Sequence, residues 1–177
     1  NGWHADLVIV VAKTNPAAGG KGTSLLLVER GMAGFSVGKR LKKLGLRAQD
    51  TSELFFDNVR VPAENLLGGP AMENRGFICL MEQLPWERLQ IAITAVAAAQ
   101  SAIDQTVAYV KERKVFGQAV GAFQNTRYTL AELQTEVQVA RVFVDKCCEL
   151  VCQDKLDTAT ASMAKYWCSD LQCKVMD

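Results

Sequence analysis

Histidine occurs once in the 177 residues, at His4, and no two cysteines have the spacing CxxC. The common zinc and haem attachments therefore have no ligand set to draw on, and no metal site is expected. Neither sign of charge dominates. Twenty Lys and Arg against nineteen Asp and Glu leave a net charge of +1, too little for a global field that gathers nucleic acid or an acidic membrane. No unbroken apolar run is long enough to span a bilayer; the alanine-rich one around Ala95 to Ala99 closes at Gln100. The glycines and lysine of "AAGGKGTS" do not have P-loop spacing. Asn1 to Asp6 offers no initiator methionine or leader, and Lys174 to Asp177 stops within a helical pattern without a cap. Both ends read as cut, as in an internal piece of a longer protein.

What is present suits a folded chain. Hydrophobic residues make up 49% and charged residues 22%, enough for a real core. Five of the six cysteines, Cys147, Cys148, Cys152, Cys168 and Cys173, fall in helical patterns, with Cys148 and Cys152 on one face. They read as small buried thiols in a reducing compartment.

The first third alternates short apolar runs with turns: "DLVIVVAKT", "TSLLLVER", "FSVGKRLKKLGL" and "SELFFDNVRVP". Such spacing predicts an antiparallel sheet or barrel, with Leu54, Phe56 and Val59 on a mostly buried face. After "AENLLGGPAMENRG" the period changes. One helix is expected from about Glu73 to Lys111, apolar almost all round between Leu89 and Ala99 and hence central. A second is expected from Gln124 to Cys152, with Leu130, Leu133, Val137, Ala140 or Arg141, Val144, Cys148 and Val151 at three- and four-residue steps. A third starts after Asp157, a good N-cap, and turns Ala161, Ala164, Trp167 or Cys168, and Leu171 inward. The short connector "QDKLD" makes the last two helices antiparallel neighbours. The fold class is α+β: an antiparallel β domain over residues 1–70, then part of an α-helical bundle over 71–177.

Three stretches invite chemistry. In "LPWERLQIA", Glu87 shares a helical face with Leu80, Leu84, Ile91 and Ala95. An apolar surround strips water from a carboxylate and makes it a stronger base. Pro85 cannot donate to the carbonyl of Met81 and frees backbone groups there. The plainer alternatives are a helix start, with proline at N1 and glutamate at N3, or a salt bridge to Arg88. In "RKVFGQAVGAFQ", Arg113, Phe116 and Gln124 could clamp an anion through a planar cation, an aromatic face and an amide; a turn between helices is the alternative. In "AAGGKGTS", Gly20 and Lys21 could meet a phosphate or simply form a flexible hairpin loop.

In order and spacing, "NGWHADLVIVVAKT", "LLLVERGMAGF", "KKLGLRAQDTSELFFDNVRVPAENLLG", "NRGF", "LPWERLQIA", "ERKVFGQAVGAFQ" and "ATASMAKYW" resemble the acyl-CoA dehydrogenase family over essentially the whole chain. The likeness is greatest to its long-chain members, with isovaleryl-type members sharing the "ERL" pattern. The resemblance implies a central β domain and the first part of a C-terminal helical bundle, both from a flavoenzyme that uses FAD. Glu87 would take the α-proton of a fatty acyl-CoA while hydride leaves the β-carbon for the flavin, giving a trans-2-enoyl-CoA. It places Arg113, Phe116 and Gln124 at FAD, and Pro85, Trp86, Arg88 and Ile78 along the acyl-CoA. Gly20 and Lys21 fall near the CoA portion. It also implies an electron-transfer flavoprotein as acceptor, a homo-oligomer (tetramer or dimer), and a mitochondrial matrix location in a eukaryote or a cytoplasmic one in a bacterium. Trp86 is bulkier than many family residues at that place, and Pro85 replaces a polar residue of some relatives. An acyl-CoA oxidase, which returns electrons to oxygen, or a catalytically silent assembly module are the competing readings.

Overall fold

Leucine and β-branched residues fill the first two apolar runs, and both become strands. The computed structural model describes residues 1–177, which divide into two compact units, Asn1–Met81 and Glu82–Asp177. In the first unit, β1 (Leu7–Lys13) pairs antiparallel with β2 (Thr23–Glu29), Leu7 opposite Glu29 and Lys13 opposite Thr23. Their connector is not a plain loop but 3-10 turns over Pro16–Gly22, kinked at Gly19. The amides of Thr14 and Asn15 both donate to the Gly22 carbonyl, at 2.9 and 3.0 Å. A Cβ on Gly22 would sit 1.7 Å from the Asn15 carbonyl oxygen, so only glycine closes this hairpin.

A second ribbon pairs β3 (Phe35–Arg40) with β4 (Ser52–Phe56), and the Phe35 and Phe56 rings stack at 5.0 Å. The strand expected through Leu46 ends at Arg40. Beyond it the chain loops, and the Leu41 amide closes the loop by donating to the Thr51 carbonyl at 2.8 Å. The strands thus form separate two-stranded ribbons rather than one sheet or barrel. The buried face expected of Leu54, Phe56 and Val59 is not realised: Phe56 is 42% exposed, Leu54 and Val59 are half-buried, and Val59 lies past the end of β4. No third strand pairs with that ribbon, and only the N-terminal segment approaches it, Gly2 at Ser52 and Leu54 and Trp3 at Arg40. The buried residues of this unit cluster on β2, at Thr23, Ser24, Leu25 and Val28. There the strand is flanked by β1 and by single bridges from Leu26 to Leu66 and from Thr23 to Arg75.

The helix α1 (Gly76–Glu112) starts in the first unit and continues through the second. Two-residue strands β5 (Lys114–Val115) and β6 (Gln118–Ala119) follow. Phe116 and Gly117 between them have φ of 50° and 82°, the two left-handed residues of a type I′ turn. The inter-helix turn expected here is therefore a miniature hairpin. Helices α2 (Gln124–Cys152) and α3 (Thr158–Met176) complete the chain. Lys174, near the end of α3, reaches Glu136 at 2.7 Å and Glu132 at 3.6 Å early in α2, as antiparallel neighbours must.

One apolar cluster holds the second unit together. It includes Leu89, Ala92, Ala95, Val96, Ala99 and Ile103 from α1, Val137, Ala140, Val144 and Cys147 from α2, and Ala164, Cys168 and Leu171 from α3. Alanines at these contacts let helix axes approach closely. α1 is not buried all round as expected: Ile91 is 47% exposed, and Thr94 and Ala97 also face solvent. The other two helices, α2 and α3, cover one side of α1 only. Its 37 residues contain an eighteen-residue window of mean hydropathy 1.2, so by length and composition alone it could cross a membrane, which the count of unbroken apolar runs missed. Cys147 takes the inward position on α2 where Cys148 was expected, and on α3 Cys168 rather than Trp167 points inward. Only Cys147 and Cys168 of the six thiols are buried; Cys152 and Cys173 are exposed. Burial pushes the Cys168 thiol up to about 11, far from a reactive thiolate at neutral pH.

Asp157 caps α3 as its sequence position predicts. One carboxylate oxygen accepts from the Thr160 amide at 2.9 Å and the other from the Thr160 hydroxyl at 2.6 Å. These bonds hold the carboxyl below its usual range. A depressed carboxylate contributes stability above the unfolded value, about 3.9, and loses it as pH falls through the folded value. Asp157→Ala is expected to lower the melting temperature at neutral pH, while Asp157→Asn keeps most of the cap but loses the acid-side dependence. Thermal melts from neutral to strongly acidic pH test this; identical acid profiles for Asp157→Asn and the parent would refute it.

Candidate active site

Pro85 lies nine residues inside α1, which begins at Gly76. The helix-start reading of "PWE" is thereby excluded: Pro85 is not at N1 and Glu87 is not at N3. Without an amide hydrogen, Pro85 leaves the Met81 carbonyl short of its usual helical donor. No ion pair joins Glu87 to Arg88; the chain's five salt bridges lie elsewhere.

Glu87 lines an open groove of about 410 Å³ with Gln90, Ile91 and Thr94 of α1 and Gln172 of α3. The carboxylate is exposed, and the water-poor surround expected of it is absent. The physical reason is the one-sided packing of α1. Ala95 is buried in the helical core, whereas Ile91 and Glu87 lie at its edge, where α3 reaches with Gln172 but leaves the groove open. The helical face drawn from spacing alone therefore straddled the edge of the core. Gln172 was missed, because nothing in the local pattern of α3 marks the residue after buried Leu171 as a neighbour of Glu87.

Pro85 and Trp86 line a separate hollow of about 240 Å³, with Glu82 and with Val151, Asp154 and Leu156 from the end of α2 and the following turn. Trp86 is 44% exposed and Arg88 half-buried. The structure thus sets Trp86 and Glu87 in different hollows, as adjacent residues on a helix must be, about 100° apart.

Arg113 follows the last turn of α1. Its amide donates to the Tyr109 carbonyl at 2.9 Å, its carbonyl accepts from the Val120 amide at 2.8 Å, and its guanidinium forms no ion pair within the chain. Phe116, at the tip of the β5–β6 hairpin, is 97% exposed. Gln124 opens α2 and donates to the Tyr128 hydroxyl at 2.9 Å. Phe123, at the N-cap of α2, offers no side-chain acceptor, so the first-turn amides lack side-chain capping. An unpaired guanidinium, an exposed aromatic ring, an amide and an uncapped helix start suit an extended anion with an aromatic part.

In the first unit, Gly20 and Lys21 are exposed on the β1–β2 connector. A Cβ on Gly20 would lie 3.5 Å from the Phe77 ring, so the connector borders the first turn of α1. Ile78, in the same turn, is 46% exposed.

Comparison with known proteins gives this geometry a family. Residues 74–177 match the family model described as acyl-CoA dehydrogenase, C-terminal domain, and residues 1–59 the one described as acyl-CoA dehydrogenase, middle domain. The chain is 53% identical over 174 residues to the mitochondrial long-chain specific acyl-CoA dehydrogenase of Rattus norvegicus, covering 97% of this chain and 40% of the relative. It is 42% identical over 144 residues to the mitochondrial isovaleryl-CoA dehydrogenase of Oryza sativa subsp. japonica, covering 81% of this chain and 34% of the relative. The crystal structure of an acyl-CoA dehydrogenase from Geobacillus kaustophilus superposes with a TM-score of 0.94 at 46% identity, covering 99% of this chain and 46% of that one. The chain thus spans less than half the length of these relatives, and over that span both its fold and its sequence make it a member of the acyl-CoA dehydrogenase family.

Proposed function

We propose that the protein carrying this chain oxidises fatty acyl-CoA thioesters to trans-2-enoyl-CoA with FAD, and that Glu87 is the base. The observation that carries the reading is Glu87 itself: a carboxylate with no ion-pair partner, at the mouth of a groove, just past a helical proline, within an "ERL" segment. An α-proton beside a thioester is weakly acidic, so the base must be free, placed within reach and shielded during reaction. In this chain Glu87 is free but unshielded. The bound acyl chain and the flavin would supply the cover that the helices do not.

The residues fit the cofactor. Arg113 and the uncapped amides of α2 would hold its phosphates, Gln124 would donate or accept at its polar edge, and Phe116 would lie against a ring. When bound, the flavin accepts the hydride from the β-carbon; the protein aligns the reacting atoms. Pro85, Trp86, Arg88 and Ile78 would border the acyl-CoA, and Gly20 and Lys21 its CoA end. Trp86 fills part of a hollow and would set how much chain that side of the helix accepts.

The identity to long-chain relatives supports a fatty acyl substrate, and an electron-transfer flavoprotein is the acceptor we assign. A homo-oligomer, tetramer or dimer, and a matrix location in a eukaryote or a cytoplasmic one in a bacterium complete the proposal. Acyl-CoA-dependent turnover should appear with an electron-transfer flavoprotein or a substitute dye, and not as peroxide release. Peroxide in step with enoyl-CoA would instead establish an oxidase. In the same protein, Arg113→Ala is expected to co-purify with clearly less flavin, read from its visible absorbance. Undiminished flavin content would remove Arg113 from the cofactor site.

A further inference from the structure

The loop over residues 41–51, between β3 and β4, has a composition that catalysis does not use. Leu44 is fully exposed, Leu46 is 79% exposed and Leu41 is 52% exposed. Lys39, Arg40, Lys42, Lys43 and Arg47 surround them in sequence, against one carboxylate, Asp50. None of these five cations forms an ion pair, in a chain whose total charge is only +1.

The loop is built, not loose. The Leu41 amide donates to the Thr51 carbonyl at 2.8 Å, the Gln49 amide to the Leu46 carbonyl at 3.2 Å, and the Lys43 ammonium to the Gln49 carbonyl. Asp50 faces inward: its carboxylate accepts from the Trp3 amide at 2.8 Å. The guanidinium of Arg40 lies 4.9 Å from the Trp3 ring centroid and bonds His4. Beside this stem is a hollow of about 500 Å³ whose charged lining is Arg40, Lys42, Lys43 and Arg47 against the single carboxylate Asp50, with His4 beside them. Leu44 and Leu46 are left at the apex, and Leu46 is held at a φ of 49°.

We propose that this loop docks on an anionic phospholipid surface. The apical leucines would enter the boundary between headgroups and acyl chains, while the lysines, arginines and basic hollow receive lipid phosphates. The charge argument decides between occupants. A soluble phosphate would satisfy the hollow and leave the leucines in water. An apolar partner would cover the leucines and strand Lys39, Lys42 and Arg47, which have no partner in the chain. An anionic bilayer satisfies both sets at once.

Sedimentation of the 177-residue chain with vesicles tests the proposal, comparing phosphatidylcholine alone with equal parts phosphatidylcholine and phosphatidylserine. Binding is expected only to the mixed vesicles and should weaken as salt rises. Leu44→Glu with Leu46→Glu, and separately Lys42→Glu with Lys43→Glu, should each reduce partitioning by about tenfold or more. All four side chains lie in the exposed loop, so melting temperatures should stay near that of the parent. The idea is overturned by failure to bind mixed vesicles or by equal binding of the leucine variant. Occupancy of the hollow by inorganic polyphosphate without vesicle binding would overturn it too.

Discussion

Glu87→Gln is expected to lower the rate of α-proton removal from a bound acyl-CoA by roughly 10²–10⁴, the usual worth of a general base. The change removes proton affinity and keeps shape. Glu87 makes no salt bridge and lies at an open groove, so the variant should fold normally. Exchange of the α-hydrogens for deuterium, followed by nuclear magnetic resonance in the flavin-loaded protein, measures the step apart from turnover. Normal flavin content with lost exchange assigns the base to Glu87. Normal exchange would mean that another carboxylate takes the proton, and Glu87 would then be only a polar residue on a half-covered helix.

The second large effect is on stability. Leu89 lies two residues from Glu87, fully buried among the three helices. Leu89→Ala is expected to cost about 2–5 kcal/mol, because transfer free energy is lost and a cavity forms where neighbours cannot collapse. Ile91, 47% exposed on the other side of α1, provides the contrast: Ile91→Ala should cost much less. Urea unfolding of both variants, with an unchanged denaturant slope, gives the comparison. Equal costs would show that the buried stripe of α1 has been assigned to the wrong face. The pairing also separates the two roles of this segment: loss of Leu89 weakens the bundle, whereas loss of the Glu87 carboxylate leaves the bundle intact.

Local patterns were legible where local physics decides. The bounds of α2, the cap at Asp157 and the inward set Ala161, Ala164, Cys168 and Leu171 follow from helical period and side-chain hydrogen bonding within a few residues. The antiparallel pairing of β1 with β2 follows from two apolar runs and one short connector. Less legible was the region where a residue's setting depends on distant chain. Phe56 finds a stacking partner in Phe35 but no covering layer. The hairpin at Phe116 and Gly117 rests on a turn with an unusual residue at its first left-handed position. Cys147 takes the fully buried place and Cys148 packs half-buried against the core, a single step of helix rotation from the expected register.

By itself the sequence determined the alternation of elements, the family and the identity of the candidate base, since these reside in order, spacing and residue type. Only the tertiary structure decided that Glu87 faces an open groove with Gln172, that Trp86 turns to another hollow, and that Leu44 and Leu46 stand in water on a loop whose cations line a hollow. Periodicity reports which side chains share a face of a helix. Whether that face is covered depends on which other helices arrive there, and that information is spread over residues far apart in the chain.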